Sequence, residues 1–141
     1  MAEHGAIPFP YARTDAEAFL LFIEAHPTDI HLAIVAAGEP VGSVGMYRRK
    51  GPPQFTGELG YWLGPEHWGC GYATEAARAL AEHAFAATDI ARLEARVFAW
   101  NPASCRVLEK IGFQREGLQR RATFKDGVFV DNWLYARLRD A

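Results

Sequence analysis

The stretch Gly57-Glu-Leu-Gly-Tyr-Trp-Leu-Gly-Pro-Glu-His-Trp-Gly-Cys-Gly-Tyr-Ala-Thr-Glu-Ala76 decides the fold. Its first residues alternate, with Leu59, Tyr61 and Leu63 on one face of an extended chain and Glu58, Gly60 and Trp62 on the other. Gly64-Pro65 ends that strand. From Tyr72 the period changes to that of a helix, and Ala76, Ala77, Leu80, Ala84 and Phe85 share one face as far as Ala87. Gly69 and Gly71 stand between the two elements. A helix N-terminus has unpaired N–H groups and about half a positive charge. Glycines just ahead of it let an anion reach the backbone without meeting a Cβ.

Upstream, Thr14-Asp15-Ala16-Glu17 has capping-box spacing. It predicts a helix to about Ala25 with Ala16, Phe19, Leu20 and Ile23 as its apolar face. Residues 30–36 and 41–47 read as antiparallel strands joined through Gly38-Glu39-Pro40. Downstream, residues 93–100 read as a strand, and Asn101-Pro102 opens a helix with Asn as N-cap and Pro at its first position. Val107, Leu108 and Ile111 form its buried face, and Gly112 stops it. Residues 122–125 and 128–138 form a hairpin around Asp126-Gly127. This order predicts an α/β protein of the mixed α+β kind, a mostly antiparallel central sheet with flanking helices.

The chain has 141 residues, which predicts a single domain over residues 1–141. A formal net charge of −2 argues against a protein that holds nucleic acid by bulk basicity. The charge is uneven: residues 1–70 hold four Lys/Arg and eight Asp/Glu, residues 71–141 eleven and nine. No apolar run is long enough to span a bilayer, and the first ten residues do not read as a signal peptide. Two cysteines, Cys70 and Cys105, are too few for a disulfide scaffold, so the expected compartment is the cytoplasm. The histidines lack metal-ligand spacing, and no metal is expected.

Nine of the thirteen glycines lie between Gly38 and Gly71. Three phosphate loops could use the last of them. A Walker A loop fails because Cys70 stands where lysine is needed. A dinucleotide fingerprint matches at Gly69 and Gly71 but has Thr74 in its third position. Two or three antiparallel strands also come first where a Rossmann loop normally follows the first strand, so it remains a lesser reading. The third candidate rests on two signatures, the stretch from Gly57 to Ala76 and Asn101-Pro-Ala-Ser-Cys-Arg-Val-Leu-Glu-Lys-Ile-Gly-Phe113. Together with the closing Arg121-Ala-Thr-Phe-Lys-Asp-Gly-Val-Phe-Val-Asp131 they resemble the GNAT N-acetyltransferase superfamily over about residues 10–138. They resemble in particular the branch containing ribosomal-protein alanine N-acetyltransferases.

That resemblance implies a GNAT-like acyl-coenzyme A N-acyltransferase fold and acetyl-coenzyme A as co-substrate. It places the pyrophosphate on backbone amides of Trp68, Gly69, Cys70, Gly71, Tyr72 and Ala73, and the pantetheine arm along Tyr61, Trp62 and Leu63. It gives Asn101 as a coenzyme or substrate contact, beside its N-cap role. The loop departs from the family pattern at Glu66, where Gln or Arg is usual, and at Cys70, where a basic residue is common.

Acetyl transfer to an amine needs a base, a polarised carbonyl and help for the departing thiolate. By resemblance Ser104 is the candidate acid for the thiolate; as a plain helix residue it would bond locally. Glu58 is the candidate base, directly or through water, because Thr123 stands where the branch has a glutamate in its closing hairpin. His67 reads as a coenzyme or surface contact. Cys70 has no His and Asn/Asp partners to make it a nucleophile. Relatives carry a strand and further helix ahead of the segment matching Pro10-Tyr11, so the first strand is expected to be missing. Residues 30–36 then form a bare edge that a homodimer could cover. The expectation is an N-acetyltransferase acting on a protein N-terminal α-amine or a small-molecule amine, with no nucleic-acid or membrane partner. The alternative is a non-catalytic coenzyme-A-binding or interaction module.

Overall fold

A computed structural model describes residues 24–140 together with Glu17, Ala18 and Leu21. Of the first expected helix, Glu17, Ala18, Leu21, Glu24 and Ala25 are helical. Its cap at Thr14 and the face built on Ala16, Phe19, Leu20 and Ile23 lie outside the described residues.

The strands are β1 (Ile30–Ala36), β2 (Glu39–Arg48), β3 (Thr56–Leu63), β4 (Arg92–Phe98), β5 (Gln114–Lys125) and β6 (Val128–Leu138). Two α-helices are interleaved with them, α1 (Tyr72–Ala87) and α2 (Pro102–Lys110). Strand order across the sheet is β1-β2-β3-β4-β6-β5. Every pairing is antiparallel except β3 with β4. The expected mixed, mostly antiparallel sheet is what forms.

Turn chemistry sets both hairpins. Asp126 and Gly127 have φ of 52° and 80°, the type I′ geometry that an Asp-Gly pair favours. Ala37 and Gly38 take 52° and 79°, so the first turn lies one residue earlier than Gly38-Glu39-Pro40 and β2 begins at Glu39. Two other boundaries move. β4 ends at Phe98, because the Asn101 amide turns back to the Phe98 carbonyl at 2.9 Å. β5 begins at Gln114, well before Ala122, and most of its residues are exposed. An edge strand held by backbone pairing to β6 has no buried face to announce it.

The core lies between one face of the sheet and the two helices. Ala73, Ala77, Leu80, Ala81 and Ala84 form the buried side of α1. They cover Met46, Leu59, Leu63 and Leu93, each less than 5% exposed. Alanine on the helix lets the two backbones approach closely. Across the sheet, a Cβ on Gly57 would stand 2.5 Å from Met46 Sδ, so a larger residue there would force the buried Met46 side chain to shift. From α2, Cys105 and Leu108 add to the same core, and Val107 is half-buried.

One feature of this sheet prepares a site. β3 and β4 pair only at Thr56↔Arg92, Gly57↔Leu93 and Glu58↔Glu94. Beyond that, β3 stays bonded to β2 and β4 to β6, while residues 59–63 and 95–98 have no ladder between them. The two strands part like a wedge. α1 follows β3 at its open end, and α2 follows β4 there.

Candidate functional site

The loop after β3 is built to leave amides free. Pro65–His67 makes one 3-10 turn, closed by His67 N–H to Gly64 O at 2.9 Å and Trp68 N–H to Pro65 O at 3.2 Å. The Trp68 indole donates to Leu63 O at 3.0 Å, anchoring the loop to the strand end. Gly69 and Gly71 then take φ of 77° and 80°, with Gly71 as the N-cap of α1. The first helical bond runs from Glu75 N–H to Gly71 O at 3.0 Å. The amides of Tyr72, Ala73 and Thr74 therefore precede any intrahelical partner. A Cβ built on Gly69 or Gly71 would meet nothing within 4 Å. Packing does not require these glycines; the left-handed backbone favours them. The Trp68 amide is already engaged by Pro65 O, so the available donors run from Gly69 through Thr74, one residue later than the expected run. Cys70 is exposed, and its thiol lies 3.8 Å from Trp68 O.

On the helix side of the wedge, two side chains meet. Tyr61 of β3 donates its phenol to Ser104 Oγ of α2 at 3.0 Å. Ser104 is 5% exposed, and its amide donates to Asn101 Oδ1 at 3.3 Å. Asn101 thus caps α2 as its sequence position predicts, and that cap holds the turn carrying Ser104. Burial pushes the Tyr61 phenol above its ordinary range, partly offset by the bond to Ser104.

The other face carries charge. Glu58 and Glu94 are register partners on β3 and β4, and like charges so placed repel unless cations lie between them. Arg96 Nη1 lies 2.7 Å from Glu58 Oε1, and Arg49 Nη2 lies 2.6 Å from Glu94 Oε2 and 4.0 Å from Glu58 Oε2. Arg92 continues the network to Glu94 and Glu116, and its guanidinium holds the Glu116 carboxyl below the usual range. Arg96 Nε also donates to Gln119 Oε1 at 3.1 Å. On this face buried Arg49 Nε, Trp62 Nε1 and Asn132 Oδ1 make no hydrogen bond among the described residues. Asn132 is 5% exposed, and its Nδ2 donates to Thr123 Oγ1 at 3.0 Å. By strand alternation Trp62, Glu58, Arg96 and Asn132 all belong to this face.

A family model for the acetyltransferase (GNAT) domain matches residues 1–114 of the 141. The chain belongs to the GNAT acetyltransferase family. This GNAT chain is 35% identical over 98 residues to an uncharacterized N-acetyltransferase of Bacillus subtilis, YoaA, covering 70% of this chain and 55% of that one. It is 34% identical over 95 residues to the ribosomal-protein-serine acetyltransferase of Escherichia coli, covering 67% and 53%. Its fold superimposes with a TM-score of 0.82 on Mycobacterium smegmatis RimJ in complex with CoA-disulfide, at 30% identity over 91% of this chain and 63% of that one. The chain spans 55–66% of the length of three curated relatives.

Within the GNAT frame, the candidate residues fall into three places. Gly69, Cys70, Gly71, Tyr72 and Ala73 line the loop and helix start. Tyr61, Ser104 and Asn101 meet on the helix side of the wedge, and Glu58 and Trp62 stand on the other face. Arg96, Arg49 and Asn132 were beyond sequence reasoning, since their strands come together only in the sheet. Among the described residues no group of three or more His, Cys, Asp or Glu could hold a metal ion. Nor is any helix there long and apolar enough to cross a membrane.

Proposed function

We propose that this GNAT chain transfers an acetyl group from acetyl-coenzyme A to a primary amine by direct attack, without an acyl-enzyme. The observation that carries the reading is the wedge: the unpaired edge of β3 beyond Glu58 opens beside the free amides of the α1 N-terminus. In this reading Gly69 through Thr74 bind the pyrophosphate through backbone N–H groups. Tyr61 and its strand neighbours Trp62 and Leu63 offer β3 backbone to the pantetheine arm. The open space before Gly69 and Gly71 fits that assignment, since a Cβ at either would project into it.

Glu58 takes the amine proton through a water, because Arg96 already engages one of its oxygens. Ser104 donates a hydrogen bond to the departing thiolate, and Asn101 keeps the turn that presents it. Glu58 and Ser104 serve opposite sides of the reacting carbonyl, as their opposite faces of the sheet require. The acceptor is a protein N-terminal α-amine or a small amine. The net charge of −2 favours neither a nucleic-acid partner nor bulk attraction to an anionic surface. The single domain belongs in a reducing cytoplasm, where free Cys70 and Cys105 persist as thiols. Homodimerisation through the outer edge of β1, where Leu32 and Val35 are exposed, is part of the same proposal, and light scattering tests it.

The deciding experiment pairs calorimetry of coenzyme A binding with thiol release from acetyl-coenzyme A in the presence of an amine panel that includes N-terminal peptides. Binding with amine-dependent release supports the enzyme. Binding with release at background for every amine turns the assignment to a non-catalytic coenzyme-A module, and absence of binding rejects both.

A further inference from the structure

The bond between Tyr61 and Ser104 spans the wedge. One partner comes from β3, the other from the helix that follows β4, and 43 residues of chain separate them. No ladder joins the two strands at this level, so the side-chain bond ties the two lips together on the helix side. Ser104 is buried and Tyr61 is half-buried against the core. Ser104 is 5% exposed, and Leu59 and Leu63, which flank Tyr61 on its face, are 4% and 2% exposed.

The direction of the bond matters. A serine hydroxyl has one proton and two lone pairs. Left alone in the first turn of a helix, it would turn that proton toward nearby backbone or a neighbouring side chain. Here the phenol occupies a lone pair of Ser104 Oγ as donor, and the Asn101 amide oxygen is taken by the Ser104 N–H. The Ser104 proton is thereby directed away from both. Burial raises the phenol above its ordinary titration range, so Tyr61 remains a donor throughout any neutral or mildly alkaline condition.

We propose that Tyr61 is a positioning residue: its phenol fixes the Ser104 hydroxyl as a hydrogen-bond donor to the sulfur of coenzyme A in the wedge. This rests on the acetyl-transfer reading above and adds to it a side-chain role for a residue whose backbone alone was assigned. In the reaction the amine nitrogen bonds to the acetyl carbonyl carbon and loses its proton through water to Glu58. The C–S bond breaks with its electron pair passing to sulfur, and the Ser104 O–H hydrogen-bonds to the thiolate. Tyr61 keeps its proton throughout, and the thiolate takes a proton from water on release.

The test uses the full chain and two probes, coenzyme A and its desulfo analogue, compared at about pH 9, where a free thiol is largely ionised. Wild type should bind coenzyme A roughly tenfold more tightly than the desulfo form. Tyr61→Phe and Ser104→Ala should each abolish that preference while leaving affinity for the desulfo form unchanged, and Ser104→Thr should keep it. In turnover, Tyr61→Phe should lower kcat roughly tenfold at nearly constant KM. The double variant should be no slower than Ser104→Ala alone, as expected of two residues acting as one unit. Tyr61→Phe retaining wild-type preference and kcat overturns the proposal, as does a double variant slowed by the product of the single effects. Should Tyr61→Phe fail to fold, loss or retention of the preference in Ser104→Ala decides the matter. Wild type binding neither probe removes the coenzyme reading and this proposal together; wild type binding both equally removes this proposal alone.

Discussion

Arg96 Nη1 stands 2.7 Å from Glu58 Oε1, the two residues lying on either side of the line where β3 and β4 cease to pair. That contact fixes a carboxylate at the closed end of the wedge, on the face opposite the Tyr61–Ser104 bond. Glu58→Gln keeps the side-chain shape and removes its capacity to accept a proton. Steady-state assays should show kcat lowered about 10²-fold. The side chain is 36% exposed, so chemical denaturation should register no more than about 1 kcal/mol of lost stability. Unchanged kcat would move the base elsewhere.

The glycine at the start of α1 separates backbone strain from ligand approach. Gly71 sits at φ 80° with no atom near a prospective Cβ. Gly71→Ala should cost about 1–2 kcal/mol through the left-handed backbone alone, read by urea denaturation. Gly71→Glu adds a carboxylate to the space before the helix amides and should abolish coenzyme A binding by calorimetry at a similar stability cost. Retained affinity would refute the loop assignment.

Asn101 joins stability to geometry, because its Oδ1 receives the Ser104 amide. Asn101→Ala should destabilise the chain by about 1 kcal/mol and lower kcat as the turn carrying Ser104 loosens. Asn101→Asp retains an acceptor at the N-cap, and its melting temperature should stay near wild type. If Asn101→Asp loses activity while keeping stability, the amide nitrogen has a substrate role separate from the cap.

A pH dependence follows from His31 in β1, whose side chain is 9% exposed beside Asp29. Burial pushes its pKa below the ordinary 6.5, with Asp29 opposing in part. The unfolded chain therefore binds the proton more readily than the folded one. This contribution to stability is complete above about pH 6.5 and is lost as pH falls through the lowered folded value. Melting temperature should drop on acidification over that window, and His31→Gln should flatten the drop.

Much of this architecture is visible in one dimension because local rules and burial agree. The change of period at Tyr72 and the breakers before it locate α1 from end to end, and the observed helix also runs from Tyr72 to Ala87. Asn101-Pro102 marks the start of α2 because a cap and a missing N–H suit only a helix N-terminus. Asp126-Gly127 marks its hairpin because both residues tolerate positive φ. Where burial gives no pattern, the sequence is silent. β5 is held by its ladder to β6 and leaves most of its side chains in water, so only residues 122–125 next to the turn stand out.

The sequence by itself therefore determined most of the elements, their order, the pair of glycines before α1 and the membership of the family. Those depend on neighbours within a few residues, or on motifs read in a line. The tertiary structure alone decided that β3 and β4 part after Glu58, that Tyr61 reaches Ser104, and that Arg96 and Arg49 stand between Glu58 and Glu94. Each of these joins residues dozens of positions apart, and its geometry depends on sheet register and on helices docking against one face. Periodicity tells which way a side chain points; only the closed sheet tells what it meets there.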